Sequence, residues 1–242
     1  TWITINDLSV VDYTEKRGVG SLVCSDLNES FGTLIANDFF ITYTTNSYFQ
    51  VEQSVNQADN GVFVTRLSTS KALNEMKLSQ GAFYILQTPN AGGSSVESEV
   101  LSYELFKKMF NALLVKTEME VPYFPYGGSV VDYVMRCFDK HVGVSVTRAF
   151  KFNSSELFAY DDACSLLTKK LKGIKQSFRN ALLKWDKHVL HVWTLDTQAA
   201  EVLIDVWSDL SDNLKSNTIL FITITNSLEI FLNPSKKTHY KT

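Results

Sequence analysis

The chain has 242 residues, 45% of them hydrophobic and 20% charged, and a formal net charge of -3 at pH 7. This is an ordinary globular composition, long enough to bury a real core in one large domain or two small ones. The charge balance excludes a global basic field that would advertise nucleic acid, and leaves a local basic face open.

Cys24, Cys137 and Cys164 are odd in number, far apart and without a C-x-x-C pair, which argues against a disulfide framework or zinc ribbon and for reduced thiols inside a cell, in cytoplasm or nucleus. The apolar runs, such as TILFITIT at Thr218 to Thr225, are too short to span a bilayer, so no membrane partner is expected.

In chain order, Thr1 to about Gln87 reads as strand-rich. SLVCS, GTLIANDFFITYTTNSYFQVEQ, GVFVTRLS and GAFYILQ are rich in Val, Ile, Phe, Tyr and Thr, and one short polar helix is expected around Lys71 to Lys77. TPNAGGSS, Thr88 to Ser95, combines the strongest turn formers and is taken as the boundary between a β-rich region, 1–90, and a second domain, 91–242. After it, Val96, Val100, Tyr103, Phe106, Phe110 and Leu113 recur at helical spacing, with Ser94 or Ser95 able to cap the start.

FPYGG then turns into two strands, GGSVVDYVMRCFDKHVGVSVTRAF, with one further short strand expected around Glu118 to Val121 before them. DDACSLLTKKLKGIKQSFRNALLKW is a second helix with acids first and bases later, as the helix dipole favours. KHVLHVWTLD is a strand, TQAAEVLIDVWSDLSDNL a helix, and NTILFITIT a strand apolar enough for the middle of a sheet. Long helices alternating with apolar strands predict an α/β fold, a three-layer sandwich about a mixed central sheet.

Within the first hairpin strand Asp132 is a lone carboxylate among apolar neighbours, and a buried acid calls for a partner, a metal or a catalytic role. On the second strand Ser145 and Thr147 share the inward face, and alternation aims Arg148 the other way. Glu99 falls on the inward stripe of the first helix with Tyr103, Phe106 and Phe110, while Glu97 and Glu104 are expected roughly opposite.

From Ser94 to Thr225 this order, with an acid on one hairpin strand and a polar pair on the next, resembles the restriction-endonuclease-like fold of the PD-(D/E)xK nuclease superfamily. It is similar in outline to the nuclease-like domains of crinkler effectors and retrotransposon hot spot proteins. The resemblance implies that Asp132 is the metal-binding Asp, with Ser145 at the position of the second acid and Thr147 at that of the Lys. It also implies Mg²⁺ or Mn²⁺ held by Asp132 and Glu99, and a phosphodiester of DNA or RNA as substrate. The two hydroxyls depart from the pattern: Ser145 removes a negative charge and Thr147 supplies no cation.

Two readings of Asp132 stay open, a metal or catalytic acid and a structural acid satisfied by backbone N–H groups of the Gly-rich turn before it or by an Arg such as Arg136. On the second helix Lys172, Lys175 and Arg179 form one flank, with Lys169 a little further round, and such a flank either tracks a phosphate backbone or is a solvated face. His188 and His191, three apart on a strand, face opposite sides and are poor co-ligands. The functional expectation is a metal-dependent nuclease-like domain; the alternatives are an inactive module of the same fold that binds nucleic acid or protein, a second copy included, and a structural interaction domain.

Overall fold

The most apolar runs of the sequence become the middle of one sheet. Strands KHVLHVWT (Lys187–Thr194) and TILFITIT (Thr218–Thr225) are buried along their whole length, as strands covered on both faces must be. They belong to a computed structural model that describes residues 31–58, 60–89, 96–151 and 156–231.

In chain order the strands are β1 (Phe31–Ile35), β2 (Phe39–Thr44), β3 (Val62–Thr69), β4 (Leu113–Thr117), β5 (Tyr133–Cys137), β6 (Lys140–Ala149), β7 (Lys187–Thr194) and β8 (Thr218–Thr225). The helices are α1 (Thr45–Asn56), α2 (Gln80–Gln87), α3 (Val96–Phe110), α4 (Tyr160–Asn180), α5 (Thr197–Asp209) and α6 (Asp212–Lys215). All eight strands form a single sheet in the order β1-β2-β3-β8-β7-β6-β5-β4. The inner four, β3, β8, β7 and β6, run parallel, and antiparallel pairs extend the sheet on both sides.

Helices cover both faces, which gives the expected three-layer α/β sandwich. On one face Leu167, Leu171 and Ile174 of α4 and Leu203 and Trp207 of α5 pack against Leu190, Val192, Leu220 and Ile222. On the other, Leu105, Phe106 and Phe110 of α3 meet Tyr133, Val144, Trp193 and Phe221, with Val51 of α1 and Ala82 of α2 in the same cluster. Alternation along each strand assigns these faces, so Tyr133, Val144, Val146 and His191 look toward α3, whereas Val134, Ser145 and Leu190 look toward α4.

Helix α3 is buried nearly all round because α2 covers its far side. The two approach closely at Gly81, where a Cβ would lie 2.5 Å from the Tyr103 ring. This packing corrects the expectation for Glu104, which is 1% exposed rather than turned to solvent. Its carboxylate accepts from the Ser79 N–H at 3.0 Å and pairs with Lys108 at 3.3 Å.

Two segments expected as strands are helices. TTNSYFQVEQ has β-favouring residues, yet Ser47, Val51 and Val55 recur every four residues and, with Ser54, are the ones α1 buries. GAFYILQ becomes α2, where the Ser79 hydroxyl caps the Ala82 N–H and Ala82 and Ile85 face the core. The short helix near Lys71 is a 3-10 turn at Leu73–Glu75, and the strand expected near Glu118 lies just earlier, as β4.

Residues 31–87 supply three strands to the same sheet, joined to the rest by parallel pairing of β3 with β8. The boundary expected at Thr88–Ser95 falls between α2 and α3, and residues 90–95 lie outside the described residues. Cys24 and the Ser94 and Ser95 caps lie outside them too, while Cys137 and Cys164 are free thiols. Among the described residues no helix is long and apolar enough to cross a membrane.

Candidate functional site

Beside β6 the β5 ladder stops at Tyr133↔Val144, and the chain just before it leaves the sheet. Asp132 sits at that exit. Its N–H donates to the Val144 carbonyl at 3.0 Å, and its Oδ2 accepts from the Val146 N–H at 2.5 Å. A strand residue points its N–H and C=O to the same side, so Val146 presents both to the place where β5 has ended. The carboxylate takes the N–H, and Lys170 of α4 donates to the carbonyl at 3.1 Å. Two side chains of opposite charge thus finish what the missing strand would have done.

Tyr123 holds the approach to this point, since its hydroxyl accepts from the Val131 N–H at 2.9 Å. Burial pushes that phenol up to about 12. Asp132 is only half-buried as a residue, but its carboxylate is turned inward, and desolvation pushes it up to about 6. Lys170 and the Val146 N–H act against that rise, and the negative charge of Glu118, in the turn after β4, adds to it. The group lies toward the carboxyl end of a parallel strand, where open α/β sheets place their ligands.

Ser145 and Thr147 occupy the α4 face, two residues apart, as expected, but Ser145 is 6% exposed and its hydroxyl lies 3.1 Å from His188 Nε2. Glu99 is buried as expected, in the α3 layer, where its charge acts on Arg148 and Tyr133. The charges of Asp132 and Glu99 both act on the buried Tyr133 hydroxyl, and Lys170 and Glu118 act on Asp132 itself. Among the described residues no group of three or more His, Cys, Asp or Glu side chains is arranged to hold a metal ion.

The histidines divide as expected. His191 looks toward α3, with Nδ1 2.6 Å from Ser102 Oγ and Nε2 2.9 Å from Thr223 Oγ1. Ser102 also meets the Tyr133 hydroxyl at 2.7 Å, and Thr223 meets Thr65 at 2.9 Å, so one buried hydrogen-bonded chain runs from β5 to β3 beneath α3. His188 looks toward α4, and burial lowers both imidazoles to about 3.

On α4, Lys169, Lys172, Lys175 and Arg179 are all exposed. Lys175 donates to the carbonyl and side-chain oxygens of Asn213 at 2.9 and 3.0 Å, and Arg179 reaches Asn180 at 3.3 Å. The row covers ~15 Å of helix axis at 1.5 Å per residue. Sequence reasoning missed Lys170 and Glu118. Lys170 had a readable signal, because it lies three residues after Leu167 and four before Ile174, inside the apolar stripe where a cation needs a partner. Glu118 had none, since its approach to Asp132 depends on how β4 meets β5.

No protein-family model matches the chain, and no solved structure matches it. The chain is 39% identical over 161 residues to a Dictyostelium discoideum protein described as "AAC-rich mRNA clone AAC4 protein". The similarity covers 64% of this chain but 24% of that relative, so the chain spans about a quarter of the relative's length.

Proposed function

We propose that this α/β domain is a nucleic-acid-binding module of nuclease-like architecture, which lays a DNA or RNA strand along the outer face of α4. The observation that carries the reading is the division of labour among the cations of that helix: Lys170 is turned in to the sheet, while Lys169, Lys172, Lys175 and Arg179 stand exposed in one row. Such a row meets successive phosphates without reading bases. The non-catalytic form is favoured because Asp132 is engaged in completing the sheet and Ser145 is engaged with His188. Anisotropy of a labelled DNA or RNA strand tests it: wild type binds, and Lys172, Lys175 and Arg179 all changed to Glu abolish binding while the melting temperature is kept.

A second reading is favoured by the charge of Glu118 beside Asp132, with Lys170 adjacent. Two carboxylates suit a hard divalent cation, so Asp132 and Glu118 would hold Mg²⁺ or Mn²⁺, which when bound polarises a phosphodiester. Lys170 then offers positive charge to the phosphate, the role that Thr147 cannot fill. Strand cleavage in Mg²⁺ or Mn²⁺ that disappears in Asp132→Asn supports this reading, and absence of cleavage in either metal removes it.

A further inference from the structure

The connection from β4 to β5 runs back along α4 and is held against it at three points. The Phe124 N–H donates to the Asn180 carbonyl at 2.8 Å, and Tyr123 bridges to Ala181. Further on, the Ser129 N–H donates to Gln176 Oε1 at 3.1 Å, and a Cβ at Gly173 would lie 2.9 Å from Ser129 Oγ. Between these contacts Gly127 and Gly128 have φ values of 89 and 91°, which glycine adopts far more readily than other residues. A Cβ at Gly128 would also lie 2.7 Å from the Gln176 amide nitrogen, so the turn is seated on the helix. From Gly173 to Asn180 the connection tracks ~10 Å of helix axis at 1.5 Å per residue.

This ledge presents apolar side chains to solvent. Alternation about the Tyr123–Ala181 bridge buries those two residues and turns Phe124 and Leu182 outward together, 72% and 65% exposed. Tyr126, between the contacts at Asn180 and Gln176, is 91% exposed. Single exposed apolar residues are ordinary on a surface, whereas two aromatic rings and a leucine on one ledge mark a place of contact. The charge is equally one-sided. Residues 121–131 and 163–185 include five exposed cations, Lys169, Lys172, Lys175, Arg179 and Lys184, and no Asp or Glu. In a chain of net charge -3 that is a local concentration of positive charge beside flat rings.

We propose that Phe124 and Tyr126 stack on unpaired bases of the strand whose phosphates meet the α4 cations, so that the module selects single-stranded over duplex nucleic acid. The inference rests on the proposed binding of a strand along α4 and names the class of strand. A duplex presents phosphates to the cations but keeps its base faces inside the stack, which leaves the two rings in water. An unpaired strand offers a charged backbone and a π-face at every nucleotide, and stacking accepts any base. Leu182 extends the apolar contact beside Phe124.

A second copy of the chain suits the ledge less well. A two-fold dimer through this face would set its cations against their own equivalents, and neither segment has a carboxylate to answer them.

The test is anisotropy of a labelled single strand and of its matched duplex on the full chain, at stepped salt. Wild type is expected to hold the single strand about tenfold or more tightly than the duplex. Phe124→Ala and Tyr126→Ala each lower single-strand affinity about tenfold. They leave duplex affinity and the slope of log affinity against log salt unchanged, because no phosphate contact is lost. Tyr126→Phe keeps the ring and retains wild-type affinity, and melting temperatures confirm that the variants are folded. Equal affinity for single strand and duplex overturns the inference, as do alanine variants that bind the single strand like wild type. If reversal of Lys172, Lys175 and Arg179 to Glu still abolishes binding in that case, the strand lies along α4 without stacking and the proposed function is spared; absence of any binding by wild type removes both. Altered sedimentation of Phe124→Ala with strand affinity intact also overturns the inference and gives the ledge to a second copy.

Discussion

Asp132 solves a problem of backbone chemistry before it serves any other end. Where β5 stops, the Val146 N–H and C=O would be stranded, and the carboxylate and Lys170 take one each. Asp132→Ala removes the acceptor and is expected to cost about 1–3 kcal/mol in urea unfolding, whereas Asp132→Asn keeps an oxygen there and costs much less. The pH dependence has a definite sign. Asp132 titrates near 6 in the folded chain against an ordinary 3.8, so its contribution is present below 3.8 and lost as pH rises through about 6. His188 and His191, lowered to about 3 from 6.5, contribute above 6.5 and lose that contribution as pH falls. Between about pH 4 and 6 the acid and the histidines oppose one another. Asp132→Asn therefore loses stability more steeply on acidification than wild type, which unfolding curves at stepped pH will show. The sequence revealed that Asp132 needed a partner. It could not reveal Val146 as that partner, because an unpaired N–H exists only once the end of β5 is fixed by packing.

At the scale of elements, α4 does two jobs with one amphipathic pattern. Its inner stripe of Ala163, Leu167, Leu171 and Ile174 was legible from spacing, as was its exposed cation row. The break in that stripe at Lys170 was equally visible, and it marks the contact with the Val146 carbonyl. The β-rich reading of α1 and α2 failed for a shared reason: both are short and rich in β-favouring residues, Tyr, Phe and Val in α1 and Phe, Tyr and Ile in α2, and both become helices because only one side of each meets the core. Close approach also sets limits at this scale. A Cβ at Gly143 would lie 2.7 Å from the Trp185 ring, so Gly143→Ala is expected to destabilise by roughly 1–3 kcal/mol through overpacking, measurable by thermal or urea unfolding.

For the whole molecule, the α/β class followed from alternating long helices and apolar strands, and TILFITIT was legible as a central strand. That residues 31–87 extend the same sheet was not legible, since strand order depends on the pairing of Val62–Leu67 with Leu220–Thr225, far away in sequence. A chain cut to residues 96–231 is accordingly expected to lack a cooperative thermal transition by circular dichroism, because β8 loses β3 and the α3 face loses part of its core. The sheet fixes α4 on one face and so leaves its cations to solvent, which is the basis of the proposed strand binding. The most direct test is the salt dependence of affinity for a labelled single strand. If the four exposed cations of α4 each meet a phosphate, the plot of log affinity against log salt has a slope of about -3, and reversal of Lys172, Lys175 and Arg179 to Glu flattens it. A slope near zero in the wild type, or one that the reversal leaves unchanged, contradicts the account.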